Sequence, residues 1–291
     1  MGKYQAQAID PQAYRMSGEG ANGTSYDSMT DDDMMVKLYN ESYPINAIKA
    51  ELEAARKVFR LGIPSPEPGE LVTDGKRYGI SFKKIAGKRS YSRMIADEPQ
   101  RTEELTREFA RFFRQLHART CEPGFFPDAR RQFLQMLEAD RIFNDAEKQK
   151  IADFIESVPY TPNLLHGDMH IGNVISTLPK GAPLSAPHDI FFIDLGYFSQ
   201  GNPLFDLGMM RIICKTSHND FLIPNMHINS NHANNVWEYF VDEYFQGTKN
   251  PAEADELVCP YEAVKLLLVD YNLGDQRMDE HYISFIRETL L

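Results

Sequence analysis

Two acids and an amide stand out by their setting. In Leu164-Leu165-His166-Gly167-Asp168-Met169-His170-Ile171-Gly172-Asn173-Val174-Ile175, polar, charged and glycine residues are packed between two apolar pairs. That is the pattern of a functional loop strung between buried strands. Further on, Phe191-Phe192-Ile193-Asp194-Leu195-Gly196 ends an apolar strand with a second acid. Moving a phosphoryl group from ATP requires one carboxylate that orients the acceptor hydroxyl and takes its proton. It also requires oxygen ligands for Mg²⁺, commonly a carboxylate and an amide. Asp168, Asp194 and Asn173 are residues of the types those three tasks need.

A cation for the phosphates is also in place. Lys37 interrupts the apolar run Met34-Met35-Val36-Lys37-Leu38-Tyr39, where an unpaired buried ammonium would cost several kcal/mol. The following helix offers two acids, and its periodicity distinguishes them. At about 100° per residue, Ile45, Ile48, Leu52, Ala55, Val58 and Phe59 form one apolar arc; Glu51 falls inside it and Glu53 opposite. Lys37 with Glu51 is therefore the expected ion pair, with the lysine's other donors directed at phosphate oxygens, and Glu53 the expected solvated residue. Upstream, Gly18, Gly20 and Gly23 form a G-x-G-x-x-G pattern. No helix follows it, as a dinucleotide site would require, so the order is strand, glycine turn, strand, lysine strand. That order suits a hairpin covering nucleotide phosphates, and on the glycines alone a plain hairpin turn is an equal reading.

The elements that must hold these residues read as an α+β chain. Strands are expected at Met34–Tyr39 and from Tyr78 to Ile85, with one helix from Pro44 to Leu61 stopped by Gly62 and Pro64. From Arg101 onward the spacing turns helical, with Leu105, Phe109, Phe112, Phe113 and Leu116 on one face. Short strands flank the two acid loops, a helix is expected to start at Pro203, and further helices near Val236–Tyr244, Tyr261–Val269 and His281–Leu290 end the chain. The shift between Gly87 and Arg101 divides the sequence into an N-lobe, 1–87, for nucleotide and a C-lobe, 88–291, for catalysis and acceptor.

Composition removes several alternatives. With 291 residues, 42 acidic against 31 basic side chains and a net charge of −11, the chain suits neither a nucleic-acid partner nor a disordered protein. Three widely spaced cysteines give no disulfide framework. The polar stretch Met1 to Pro11 lacks the apolar run of a secretory segment, and no 18-residue apolar stretch occurs, so a cytoplasmic protein without membrane partners is expected. Residues 220–291 hold 13 acidic against 4 basic side chains, a field that would favour a cationic acceptor if it faces one and would otherwise be a solvated surface.

Taken together, the glycine pattern, Lys37, Gly62-Ile63-Pro64-Ser65-Pro66, the loop from His166 to Asn173, Ile193-Asp194-Leu195-Gly196 and Gly201-Asn202-Pro203 with Asp206 resemble the aminoglycoside phosphotransferase and choline kinase group. These are small-molecule kinases of the protein-kinase-like fold. The resemblance implies a two-lobed architecture, a β-rich N-lobe with one helix and a larger mainly helical C-lobe. It implies Asp168 as catalytic base, Asn173 and Asp194 as Mg²⁺ ligands, and Lys37 with Glu51 as the phosphate-positioning pair. Adenine would meet the chain near Lys83, Lys84 and Ile85, while His166, His170 and Asp206 would brace the catalytic loop. Ile171 departs from the pattern, since many members have proline there. Little chain separates Asp194 from Gly201, so the long activation segment of protein kinases has no room, and a small-molecule hydroxyl is the expected acceptor.

Two other functions remain compatible with the residues. One is a nucleotide-binding module of the same fold without transfer activity. The other is a metal-dependent phosphoesterase built on Asp168-Met169-His170, although His218, His227 and His232 lie in a polar, asparagine-rich stretch and His188 stands alone beside Pro187. A serine hydrolase has no G-x-S-x-G turn to start from.

Overall fold

The computed structural model describes residues 6–20, 22–273 and 278–291. The first five residues of the polar N-terminal stretch, and Ala21 of the glycine pattern, lie outside the described residues. Along the chain run β1 (Gln7–Ala8), β2 (Tyr14–Gly20), β3 (Gly23–Ser28), β4 (Met34–Tyr39), α1 (Ile45–Arg60), β5 (Pro68–Thr73), β6 (Tyr78–Lys83) and β7 (Arg89–Ser90). Next come α2 (Tyr91–Asp97), α3 (Thr102–His117), α4 (Ala129–Ala139), α5 (Asp145–Ser157), β8 (Leu164–Leu165), β9 (Val174–Ser176), β10 (Ile190–Phe192) and β11 (Ser199–Gln200). The last elements are α6 (Leu204–Arg211), α7 (Asn219–Met226), α8 (Ser230–Tyr244), α9 (Pro251–Leu273) and α10 (Glu280–Leu290). They form two compact units: Met1–Ser90 with Asn173–Tyr197, and Tyr91–Gly172 with Phe198–Leu291.

The first unit is β-rich. Its six-stranded sheet has the order β1-β5-β6-β4-β3-β2, antiparallel except where β1 runs parallel to β5. β4 is interior, with Lys37 opposite Ser25 on one side and Ile80 on the other. Alternation along β4 divides its side chains between two apolar clusters. Tyr39 packs with Ile48 and Leu52 of α1 and with Leu71 and Ile80, while Val36 and Leu38 pack with Val72. Lys37, two residues from Tyr39, therefore shares the face that α1 covers. Along α1, Ile48, Leu52, Ala55 and Val58 are buried as the arc requires, but Phe59 is 40% exposed. Periodicity sets the angle of a side chain, not how far the packing beneath it extends, and Phe59 lies in the helix's last turn. A second, three-stranded sheet in this unit has the order β10-β9-β7.

The second unit is mainly helical. α3 packs on α8 and α6 on α9, around Phe109, Phe113, Phe205, Trp237 and Phe240, all fully buried. Phe109 contacts Phe113 at 4.9 Å and Phe240 at 6.0 Å between ring centroids, so these two aromatic residues of α3 are core, while Phe112 on the same helix is half-buried. Pro203 caps α6 from outside and the helix begins at Leu204, one residue later than its sequence suggests. Gly208 lets α6 and α9 touch, since a Cβ there would stand 2.7 Å from the carbonyl of Tyr261.

Candidate active site

In the β-rich unit the polar residues of three elements meet. The Lys37 ammonium from β4 lies 3.1 Å from the Glu51 carboxylate of α1 and also bonds the Asp194 carboxylate, which follows β10. It stands 4.7 Å from the centroid of the Tyr39 ring, a cation–π contact made within the same strand. Exposure rises across the cluster. The side chain of Glu51 is 6% exposed, that of Lys37 17% and that of Asp194 41%. Burial alone would lower the pKa of the Lys37 ammonium, but Asp194 and Glu51 more than reverse this and raise it well above the ordinary lysine value. Burial also raises the pKa of Glu51, against the pull of Lys37. Glu53, on the other side of α1, pairs with Arg56 at 3.4 Å.

Asn173 and Asp194 belong to the same unit and leave one hairpin at the same end. β9 and β10 pair through Val174 and Phe192, and the Ile193 N–H donates to the Asn173 carbonyl at 3.0 Å. Asn173 is thus one residue from Asp194 across the pairing. Asp194 has a φ of 63°, a left-handed backbone that non-glycine residues adopt at a cost and that recurs at functional sites. Asn173 is buried. An amide oxygen and a carboxylate are hard donors and suit Mg²⁺. Among the described residues no group of three or more His, Cys, Asp or Glu is arranged to hold a metal. The cation that fits this pair is one that keeps most positions for phosphate and water oxygens, which Mg²⁺ does.

The loop from His166 to Gly172 belongs to the helical unit, where both its backbone and its side chains are held. The buried Asp206 carboxylate of α6 accepts the N–H of His166 at 2.7 Å and that of Gly167 at 2.9 Å. It also pairs with His117 Nε2 at 3.1 Å, and His117 Nδ1 contacts the Tyr244 hydroxyl at 2.7 Å. Gly167 has a φ of 84°, a conformation that glycine takes without penalty. His166 Nδ1 accepts the Asp168 N–H at 3.3 Å, and its ring packs on Phe113 at 5.8 Å. His170 Nδ1 accepts the Gly172 N–H at 3.1 Å, while its Nε2 stands 3.7 Å from the Asp168 carboxylate. Burial would raise the pKa of Asp168; His170, His166 and Lys265 outweigh it and hold the carboxyl well below the usual range. A carboxylate in such a place stays anionic and accepts hydrogen bonds at neutral pH.

A loop carboxylate, an Asn/Asp pair and a lysine held by a helix carboxylate are the parts a phosphotransferase uses. The sequence profile of the phosphotransferase enzyme family matches residues 17–229. The chain belongs to this family. It is an ATP-dependent small-molecule kinase. Solved structures with the same fold include the streptomycin–ATP complex of aminoglycoside phosphotransferase APH(2")-IIa, at 20% identity and a TM-score of 0.56 over 95% of this chain and 90% of that one. The aminoglycoside phosphotransferase APH(3'')-Id from Streptomyces rimosus ATCC10970 matches at 18% identity and a TM-score of 0.54, over 90% of this chain and 93% of that one. A choline/ethanolamine kinase family protein from Mesorhizobium loti matches at 16% identity and a TM-score of 0.52, over 95% and 85%. No curated protein sequence matches the chain. The fold is thus the protein-kinase-like one of aminoglycoside phosphotransferases, with a β-sheet part and a helical part.

The other expected nucleotide contacts of this phosphotransferase lie in the β-rich unit. Gly18 and Gly20 end β2 and Gly23 opens β3. A Cβ on Gly23 would meet the Leu38 carbonyl at 2.4 Å, so packing on β4 demands that glycine. Around Gly18 and Gly20 the nearest atoms stand at ordinary contact distance, 3.8 and 3.7 Å. Lys83 ends β6 and is exposed; Lys84 pairs with Asp27 at 2.8 Å, and Ile85 is half-buried. The Lys84 side chain is therefore engaged with the β3 strand, which leaves the backbone of this segment as the part that could meet a ligand.

Sequence reasoning missed Tyr39, His117, Tyr244 and Lys265. Tyr39 was legible in the alternation of β4, two residues after Lys37. Lys265 carried the same signal as Lys37, a lone lysine in the apolar run Ala263-Val264-Lys265-Leu266-Leu267-Leu268. His117 and Tyr244 carried none, because only the packing of α3 against α8 makes them partners.

Proposed function

We propose that this phosphotransferase moves the γ-phosphoryl group of ATP, with Mg²⁺, to a hydroxyl of a small cationic compound of the aminosugar or amino-alcohol class. The observation that carries the proposal is the bonding of Lys37 to both Glu51 and Asp194, which keeps a full positive charge on a partly exposed lysine beside a carboxylate suited to a cation. In this reading Glu51 orients Lys37 toward the phosphates, Gly18, Gly20 and Gly23 lie over them, and the segment Lys83 to Ile85 meets the adenine. Asn173 and Asp194 hold the Mg²⁺, which when bound neutralises charge on the phosphate oxygens. Asp168 orients the acceptor hydroxyl and receives its proton; its place in the helical unit and its persistent negative charge support that role. Nucleotide binding belongs to residues 1–87 with Asn173 and Asp194 adding the metal, and acceptor binding to the rest of 88–291.

The acidic balance of residues 220–291, 13 acidic against 4 basic side chains, supports a cationic acceptor. So do the neighbours' own ligands, among them streptomycin and gentamicin. The three cysteines are free thiols, which suits the reducing, ATP-rich cytoplasm in which we place the reaction. Among the described residues no helix is long and apolar enough to cross a membrane.

The test is ADP release from Mg-ATP with streptomycin, gentamicin, hygromycin B, choline and ethanolamine as acceptors, combined with two variants. Asp168→Ala is expected to lower turnover by about a hundredfold or more with nucleotide affinity nearly intact. Asp194→Ala is expected to weaken Mg-ATP binding by roughly tenfold or more. Unchanged turnover in the first variant would falsify the base assignment. Normal Mg-ATP affinity in the second would remove Asp194 from the metal site.

A further inference from the structure

The helical unit contains a buried cation to which the proposed reaction gives no task. Lys265 of α9 is 2% exposed and lies in an apolar stretch of the helix. Desolvating an ammonium there is costly, so its partner is informative. The Lys265 ammonium donates to the backbone carbonyl of Gly167, above the Phe133 ring at 5.2 Å. The carboxylates of Asp206 and Asp168 also act on it. Each of the three N–H donors of a buried ammonium needs an acceptor, and one of those acceptors here is the carbonyl next to Asp168.

That carbonyl belongs to a residue already held through its N–H, and the Asp168 N–H at the other end of the carbonyl's own peptide goes to His166 Nδ1 at 3.3 Å. The Gly167 N–H goes to Asp206 of α6, and the Gly167 carbonyl goes to Lys265 of α9. The two helices are themselves locked together. Gly208 lies against Tyr261, and Arg211 of α6 pairs with Asp255 at 2.7 Å and with the fully buried Glu262 of α9. Glu262 and Lys265 are three residues apart and so share one side of α9. The carbonyl that Lys265 grips belongs to the peptide whose nitrogen is that of Asp168. Rotation of this peptide would swing the Asp168 Cα–Cβ bond, and with it the carboxylate.

We propose that Lys265 is a positioning residue for Asp168, fixing the Gly167–Asp168 peptide so that the carboxylate keeps the direction needed to receive the acceptor's proton. The inference rests on the reading of Asp168 as the base. Lys265 touches no reacting atom in this role, and its effect belongs to turnover rather than to nucleotide affinity.

The experiment compares the full-length wild type with Lys265→Met, Lys265→Gln and Asp168→Asn. ADP release is followed with whichever of the five acceptors above gives turnover, or with water where none does, and Mg-ATP affinity is measured by titration. Lys265→Met, similar in length but without donors or charge, is expected to lower kcat by roughly tenfold to a hundredfold, with Mg-ATP affinity within about twofold of wild type. Lys265→Gln, which keeps an N–H for the Gly167 carbonyl, is expected to recover several-fold of that loss. A kcat close to wild type in folded Lys265→Met overturns the proposal, as does an equal fall in kcat and Mg-ATP affinity. If the Met variant does not fold, the Gln variant carries the same comparison against wild type: its kcat is expected to fall by a few-fold at unchanged affinity, and an unchanged kcat overturns the proposal. Asp168→Asn separates the two readings. Normal turnover there sinks the base assignment, whereas lost turnover there beside a fully active Lys265→Met sinks only the role of Lys265.

Discussion

Each unit of the molecule sets a lysine among carboxylates, and the two are used in opposite ways. Lys37 of the β-rich unit bonds two carboxylates through its side chain, and exposure rises from Glu51 through Lys37 to Asp194. Lys265 of the helical unit is closed off from solvent and spends its hydrogen bond on a carbonyl. Their pKa values move accordingly: raised for Lys37, where Asp194 and Glu51 outweigh burial, and lowered for Lys265, where burial prevails over Asp206 and Asp168. A charge kept strong and partly open is suited to an anionic ligand. A charge sealed against a backbone is suited to holding shape. The β-rich cluster presents charge, and the helical cluster fixes geometry.

The comparison breaks most visibly at Asp206. This side chain is wholly buried and accepts two loop N–H groups while pairing with His117. Asp206→Ala leaves two backbone donors and a histidine without their acceptor, and is expected to cost about 3–5 kcal/mol. The readout is the urea midpoint, and turnover should fall with it. A loss below about 1 kcal/mol would mean that the helical cluster does not hold the loop. Lys37→Met tests the other side. It removes the partly exposed cation and leaves Glu51 buried without it, so a smaller stability loss of about 2 kcal/mol is expected. Mg-ATP affinity should fall by roughly tenfold or more. Adding Glu51→Leu should return the stability but not the affinity, which equilibrium unfolding and nucleotide titration would separate. Recovery of both would make the pair structural and erase the contrast.

How much of this was legible in the sequence depends on the range of the interaction. Lys37 and Glu51 could be paired in advance because one lysine in an apolar strand and one acid on the apolar arc of the next helix are local patterns. The loop around Asp168 was visible because its polar and glycine residues interrupt two apolar pairs. The strands and helices that carry these residues followed from alternation, from the 3.6-residue period and from Gly62 and Pro64. The rest is set by contacts between distant elements. β1 joins the sheet edge as a strand of two residues parallel to β5, too short to leave a periodic signal. Asn173–Tyr197 groups with the β-rich unit because β9 pairs with Arg89–Ser90, a long-range register that neither segment states by itself. Lys265 of α9 reaches the loop directly, while His117 of α3 and Tyr244 of α8 act on it through Asp206, and their partners exist only once those helices pack. Phe59 shows the reverse limit, a correct angle on a helix whose last turn is left exposed.

The smallest expected effect concerns two carboxylates of the helical unit whose pKa values shift in opposite directions. Asp206 is lowered: burial would raise it, but His117, Lys265 and His166 prevail. A lowered carboxylate stabilises the fold above its unfolded value near 3.8, and the gain is lost as pH falls through the lower folded value. Asp270 of α9 is pushed up to about 6, first by burial and then by Asp140 beside it. Asp140 accepts the N–H groups of Ile142 and Phe143, both at 2.9 Å, which fixes its carboxyl in place. For Asp270 the sign is therefore reversed: its contribution is whole below about 3.8 and lost as pH rises through about 6. Asp270→Asn, which cannot ionise, should be close to neutral at pH 4 and more stable than wild type at pH 8. The group is partly solvated, which reduces the expected gain to about 1 kcal/mol. Urea unfolding of both proteins between pH 4 and pH 8 measures this directly. A difference that is constant across that range would mean that Asp270 ionises at its ordinary value. The acidic pair would then belong with the open, solvated charges of the molecule rather than with the buried cluster that holds the loop.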